Sequence, residues 1–156
     1  MTDARKVTRW LVVFSLAVFA VGHARADEKS LVAWRTDFTA AVAEARASNR
    51  ALLVKFTGSD WCPPCRRLAA EVFDTDVMAD FTASEVVPVL IDFPRTIPQT
   101  AALRRQNQSL AERYDVTGYP TVLVLSPDEQ ELGRLGYMEG GPKTFVRAVR
   151  RCLRPR

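Results

Sequence analysis

Histidine is almost missing from this chain, and the one present, His23, falls in an N-terminal stretch that reads as removable. Without it, the remainder holds no Cys–His nucleophile, no histidine metal site and no imidazole switch near neutral pH. Cysteine is scarce as well, limited to Cys62, Cys65 and Cys152. A closed zinc site takes four ligands, usually two CxxC pairs or one pair with added histidines, and one pair with a single distant thiol falls short. No metal is expected. Internal repeats, low-complexity stretches and a second domain are also absent from the sequence.

Long apolar runs are lacking too. The stretch Trp10 to Gly22 reaches only about 20 Å as a helix, short of a hydrocarbon core of about 30 Å. Arg5, Lys6 and Arg9 precede it and Ala24, Arg25 and Ala26 follow it, the make-up of a secretory signal peptide cut before Asp27. The rival reading is an uncleaved anchor, which the length disfavours, and no cysteine near the cut invites a lipid. The expectation is a signal peptide over 1–26 and one exported domain over 27–156, periplasmic in a Gram-negative cell and otherwise extracellular or envelope-associated.

A charge of one sign is likewise missing. The first 26 residues hold four of the 22 basic residues and one of the 18 acidic ones, which leaves 18 against 17. The basicity of the whole chain therefore gives no reason to expect a nucleic-acid partner. Residues 27–156 make one domain by length, able to bury about two-thirds of its unfolded surface. Such a domain needs no disulfide to fold.

What is present is concentrated in Phe56 to Leu68, FTGSDWCPPCRRL. The apolar run Ala51 to Phe56, broken only by Lys55, predicts a strand ending in the turn residues Thr57 to Asp60. Beyond Cys65, the positions Leu68, Ala69, Val72 and Phe73 recur at helical spacing, which puts Cys62 at or just before the first turn of a helix running to about Phe73. Pro63 and Pro64 are compatible with that place, because the first amides of a helix have no intrahelical partner. The same free amides and the helix dipole favour a thiolate, whose pKa at such sites falls to roughly 3.5 to 7.5 from about 8.5. As a structural staple the pair is poorly motivated: a loop this short stabilises by roughly 2 kcal/mol, against roughly 4.5 kcal/mol for a link from Cys65 to Cys152. A redox couple explains it better.

With WCPPC after an apolar strand and Val116, Thr117, Gly118, Tyr119, Pro120 and Thr121 far downstream, the chain resembles the thioredoxin superfamily. FTGSDWC and the later IDFPR at Ile91 to Arg95 resemble more narrowly its exported bacterial members. The resemblance spans roughly Val32 to Leu153. It implies a thioredoxin fold, an α/β architecture with a central mixed sheet flanked by helices on both faces. It also implies that Cys62 is the exposed attacking thiol, that Cys65 resolves the mixed disulfide, and that Pro120 is a cis-proline. Trp61, Tyr119 and Pro120 would then line the substrate site. The family often places an acidic residue behind the second cysteine, and the position matching it here is Lys55. Either Lys55 faces Cys65 and favours its thiolate, or it lies at the edge of the sheet face with its amine in solvent.

The rest of the chain reads as scaffold. Phe38, Ala41, Val42 and Ala45 mark a helix capped by Thr36 or Asp37 and ended by Asn49 and Arg50, after a short polar lead. Asp74, Thr75 and Asp76 open a helical piece near Val77 to Phe81, and Val86 to Phe93 reads as a buried strand stopped by Pro94. Thr96 to Arg105 reads as an insertion with a short helix, continued by Leu110, Ala111 and Tyr114. Its polar run Arg104 to Gln108 reads as a solvated face or, alternatively, a partner-recognition element. Val122 to Leu125 and Glu131 to Tyr137 predict a hairpin, and Lys143 to Leu153 a last helix with Phe145, Val149 and Cys152 inward and Arg147, Arg150, Arg151 and Arg154 in solvent.

These readings converge on a monomeric thiol-disulfide oxidoreductase that uses Cys62 and Cys65 as its redox-active pair, needs no other cofactor, and exchanges disulfides with exported proteins. Pro63 offers no amide and no histidine stands between the cysteines, which leans toward a reductase re-reduced by a membrane electron donor. Two alternatives remain open: a peptide-binding module in which the cysteines only close a loop, and a client-specific factor for cytochrome or metal-centre assembly.

Overall fold

Three apolar runs, each of strand length, supply the inside of a sheet. The computed structural model describes residues 30–154, so the expected signal peptide lies outside the described residues. Strand β1 (Ala51–Thr57) is inner, flanked by β2 (Val86–Asp92) and β3 (Thr121–Leu125), with β4 (Glu131–Leu135) beyond β3. The order β2-β1-β3-β4 mixes a parallel β1–β2 pair with antiparallel β1–β3 and β3–β4 pairs. Pro88 is tolerated because β2 is the outer strand, where a missing N–H interrupts no inner ladder. The expected polar lead contributes there: Arg35 bridges in parallel to Val89, donating its N–H to Pro88 O and accepting from Leu90 N.

The side chains of β1 alternate between two cores, as the period of a strand requires. Leu52, Val54 and Phe56 pack with Val87, Val89, Ile91, Leu123 and Leu125 beneath α1 (Phe38–Ser48) and α4 (Ala101–Arg113). On the other face Leu53, Val122 and Val124 meet α2 (Pro63–Leu68), α3 (Asp76–Glu85) and α5 (Gly141–Cys152) through Leu68, Met78 and Phe145, with Phe73 between α2 and α3 in the same cluster. This is the mixed sheet covered on both faces that the thioredoxin fold requires.

Three of the helices, α1, α3 and α4, begin where a side-chain oxygen takes up a free amide. Asp37 rather than Thr36 caps α1, Thr75 caps α3 and Thr100 caps α4. Asn49, at a φ of 50°, ends α1 in the left-handed conformation. Several expectations change in detail. The active-site helix does not stay α-helical to Phe73: α2 ends at Leu68 and a π turn, Ala69–Phe73, follows. The insertion and its continuation form one helix, α4, and the polar run on it is not wholly a solvated face. Asn107 is buried because its Nδ2 donates to Asp92 O at 2.8 Å at the end of β2. Gln106 binds Phe38 N and Thr36 O. Arg150 is not merely solvated either, since it pairs with Glu85 of α3.

The pairing of β1 with β3 positions everything that follows. Phe56 lies opposite Thr121, so the loop leaving β1 and the loop entering β3 meet at the same end of the sheet.

Candidate active site

Between β1 and α2 the chain makes a tight turn at Gly58, whose O accepts from Trp61 N at 3.3 Å and Cys62 N at 2.9 Å. A Cβ at Gly58 would overlap the Trp61 indole, so the turn needs glycine for close approach. Cys62 is the N-cap of α2, with extended dihedrals of −95° and 105°, and the two prolines occupy the first helical positions. Its Sγ accepts from Cys65 N at 3.3 Å and is bonded to Cys65 Sγ. The helix thus directs one of its free amides at the sulfur, the arrangement that stabilises negative charge there once the bond opens.

Opposite this pair stands the loop entering β3. The Tyr119–Pro120 bond is cis, and Tyr119 O lies 3.8 Å from Cys62 Sγ. Trp61 sits between the two loops: its Nε1 donates to Phe93 O at 2.7 Å and its ring meets the Tyr119 ring edge-on at 6.0 Å. Phe93 stacks on Tyr119 at 5.1 Å. Trp61, Tyr119 and Pro120, named from sequence, are therefore assembled around the cysteines. Cys62 is not exposed as expected; in the disulfide form its relative exposure is 4 %, against 2 % for Cys65.

Lys55 is not at an edge. It lies on inner strand β1 with 7 % exposure, and its Nζ sits between the rings of Trp34 and Phe73, 4.8 and 4.7 Å from their centroids. Its side chain shares the face of the sheet covered by α2 and the π turn, since it alternates with Val54 and Phe56 on the other. Burial pushes its pKa down to about 8, while the Asp74 and Asp92 carboxylates pull the other way. Phe73, the last residue of the π turn, closes one side of this cage.

Other members of the site escaped sequence reasoning. Asp60 accepts from the Thr96 hydroxyl and N–H, both at 2.6 Å, and from Arg95 N at 3.0 Å. The Thr96 hydroxyl foremost, and then the two amides, hold its carboxyl well below the usual carboxylate range. Asp92 binds Ser59 N and Oγ at 3.0 and 2.6 Å. These contacts clip the loop after β2 to the loop carrying Trp61. Their only sequence trace is two aspartates beside turn residues, more than thirty positions from their partners.

The Thioredoxin-like family model matches residues 33–127. The chain belongs to the thioredoxin-like family. Over 119 residues it is 28% identical to the disulfide bond reductase DsbH of Chlamydia pneumoniae, covering 76% of this chain and 72% of that protein. It is 26% identical over 125 residues to the thioredoxin-related protein DsbJ of the same organism, of whose length it spans 36%. Among solved structures, a DsbH oxidoreductase superposes with a TM-score of 0.77 at 26% identity, over 87% of this chain and 94% of that one. A thioredoxin from Thermus thermophilus superposes with a TM-score of 0.59 at 25% identity, over 78% and 87%. Family, fold and the CxxC pair together make this member a thiol-disulfide oxidoreductase.

Proposed function

We propose that the protein works outside the cytoplasm as a disulfide reductase for other exported proteins. Cys62 thiolate attacks one sulfur of a client disulfide, forming a mixed disulfide and releasing the client's other sulfur as a thiolate. Cys65 thiolate then attacks Cys62 Sγ, which frees the second client sulfur and leaves the Cys62–Cys65 disulfide. Two electrons pass to the client, whose thiolates take up protons. The observation that carries this reading is the place of Cys62 as N-cap of α2, its sulfur accepting the Cys65 amide beside the Tyr119 carbonyl.

The reductase direction is supported by the absence of histidine between the cysteines and by Pro63, which offers no amide. Export is supported by the composition of residues 1–26, and 27–156 would be the working, monomeric domain. No cofactor beyond the cysteine pair is required. A membrane protein would return the electrons. Trp61, Tyr119 and Pro120 would bear on the client strand. Lys55, held on the face that α2 covers, would favour the active-site thiolates, so that Lys55→Ala raises the pKa of one of them; an unchanged thiol titration removes Lys55 from the mechanism.

The deciding measurement is the potential of the Cys62/Cys65 couple in protein carrying Cys152→Ala. A value at or below about −230 mV supports the reductase, and one between about −180 and −120 mV replaces it with an isomerase or oxidant. Cys62→Ser is expected to abolish exchange, and Cys65→Ser to accumulate the client as a mixed disulfide. Retained turnover in Cys62→Ser would refute the order of attack.

A further inference from the structure

Near the disulfide stand guanidinium groups that no carboxylate engages among the described residues. Arg95 is exposed, and its guanidinium carbon lies 4.0 Å from the centroid of the Trp61 ring. It forms no ion pair among the described residues. Arg66 approaches the same segment from α2, its Nη1 3.5 Å from Asp60 O, and is likewise exposed and unpaired.

Two carboxylates lie in these loops, but both are engaged by loop donors. Asp60 is occupied by the Thr96 hydroxyl and the amides of Arg95 and Thr96, and Asp92 by Ser59. The carboxylate oxygens are thus taken up by loop donors, while among the described residues the Arg95 and Arg66 guanidinium groups keep no carboxylate partner. Stacking on the indole orients a guanidinium through its flat face and leaves its N–H edge free, which suits bidentate capture of a carboxylate. Arg95 is held there by its own backbone, since the Asp60 clip fixes the amide of the residue that carries the cation. Trp61 is adjacent to Cys62 in the chain and touches Tyr119, whose carbonyl flanks Cys62 Sγ. Ile97 adds an exposed apolar side chain to the same loop.

We propose that Arg95, supported by Arg66, is a carboxylate subsite, so that preferred clients carry Asp or Glu within a few residues of the disulfide attacked by Cys62. This rests on the exchange reading above.

The test uses reduced full-length mature protein with Cys152→Ala and three peptides closed by an internal disulfide. They are identical except for Glu, Gln or Lys two residues from the first cysteine. Stopped-flow rates should rank Glu above Gln above Lys, with Glu about threefold to tenfold faster than Lys at low salt. The ratio should fall below about twofold at 0.5 M salt. Arg95→Gln should bring the ratio toward one, Arg95→Lys should keep part of it, and Arg151→Gln on α5, the same charge change, should leave it intact. Equal rates for the Glu and Lys peptides, with the Gln peptide reduced, overturn the subsite alone. A ratio that survives Arg95→Gln also overturns it. If no peptide is reduced, the exchange reading falls and takes the subsite with it.

Discussion

Replacing Lys55 by methionine should make the folded protein more stable at neutral pH. The lysine is 7 % exposed, caged by Trp34 and Phe73, and its pKa falls from 10.5 to about 8. At about 1.4 kcal/mol per pH unit, that fall corresponds to a net cost of about 3 kcal/mol for keeping the amine charged, desolvation by burial outweighing the attraction of Asp74 and Asp92. Between pH 8 and 10.5 the unfolded chain still binds the proton that the folded one has released, so wild-type stability rises with pH across this window. Lys55→Met, which keeps the volume and removes the charge, is therefore expected to be more stable than wild type by about 3 kcal/mol at pH 7. That advantage should shrink by a similar amount by pH 10.5. Urea unfolding of the oxidised proteins, followed by far-ultraviolet circular dichroism at several pH values, reads the difference. The active-site cysteines do not titrate in that form, and other groups cancel between variant and wild type. A difference that stays flat from pH 7 to 10.5, or a variant less stable at pH 7, would refute the account of a desolvated cation.

Two more substitutions probe close backbone approaches. Gly58→Ala puts a methyl group into the Trp61 indole and should break its hydrogen bond to Phe93 O, costing about 2 kcal/mol; unchanged tryptophan emission and stability would count against it. Gly133→Ala on β4 runs into Cys152 Sγ and should cost about 1–3 kcal/mol, partly relieved by Cys152→Ala. Strict additivity of those two changes in a double-mutant cycle would show that they do not meet.

The redox pair, its place at a helix start and the strands around it were legible because each depends on neighbours in sequence: an apolar run, turn residues, two prolines, a helical period. Lys55 was not, since alternation gives a strand residue its face but not what covers that face. Here the cover comes from Trp34 in the supposedly polar lead and Phe73 in a turn whose π geometry no local signal announced. Asn107 sat within a run of polar residues, and only the end of β2, folded beside it, makes burial favourable for that one side chain. The clip of Asp60 onto the loop of Arg95 and Thr96 is equally non-local. Cys152 was expected as a small buried side chain; it is half-buried and packs where Gly133 leaves room for it.

The antiparallel pairing of Phe56 with Thr121 also bears on how such a chain can diverge. Both halves of the cleft hang from that one stretch of ladder, so residues may be gained or lost in the α4 region or at the hairpin tip while the distance between sulfur and carbonyl is kept. A slip of one residue in that ladder has the opposite effect. It would turn Val122 and Val124 toward the wrong core and carry Pro120 away from Cys62. The frame therefore constrains the register of its two middle strands more tightly than the length of the chain around the sheet.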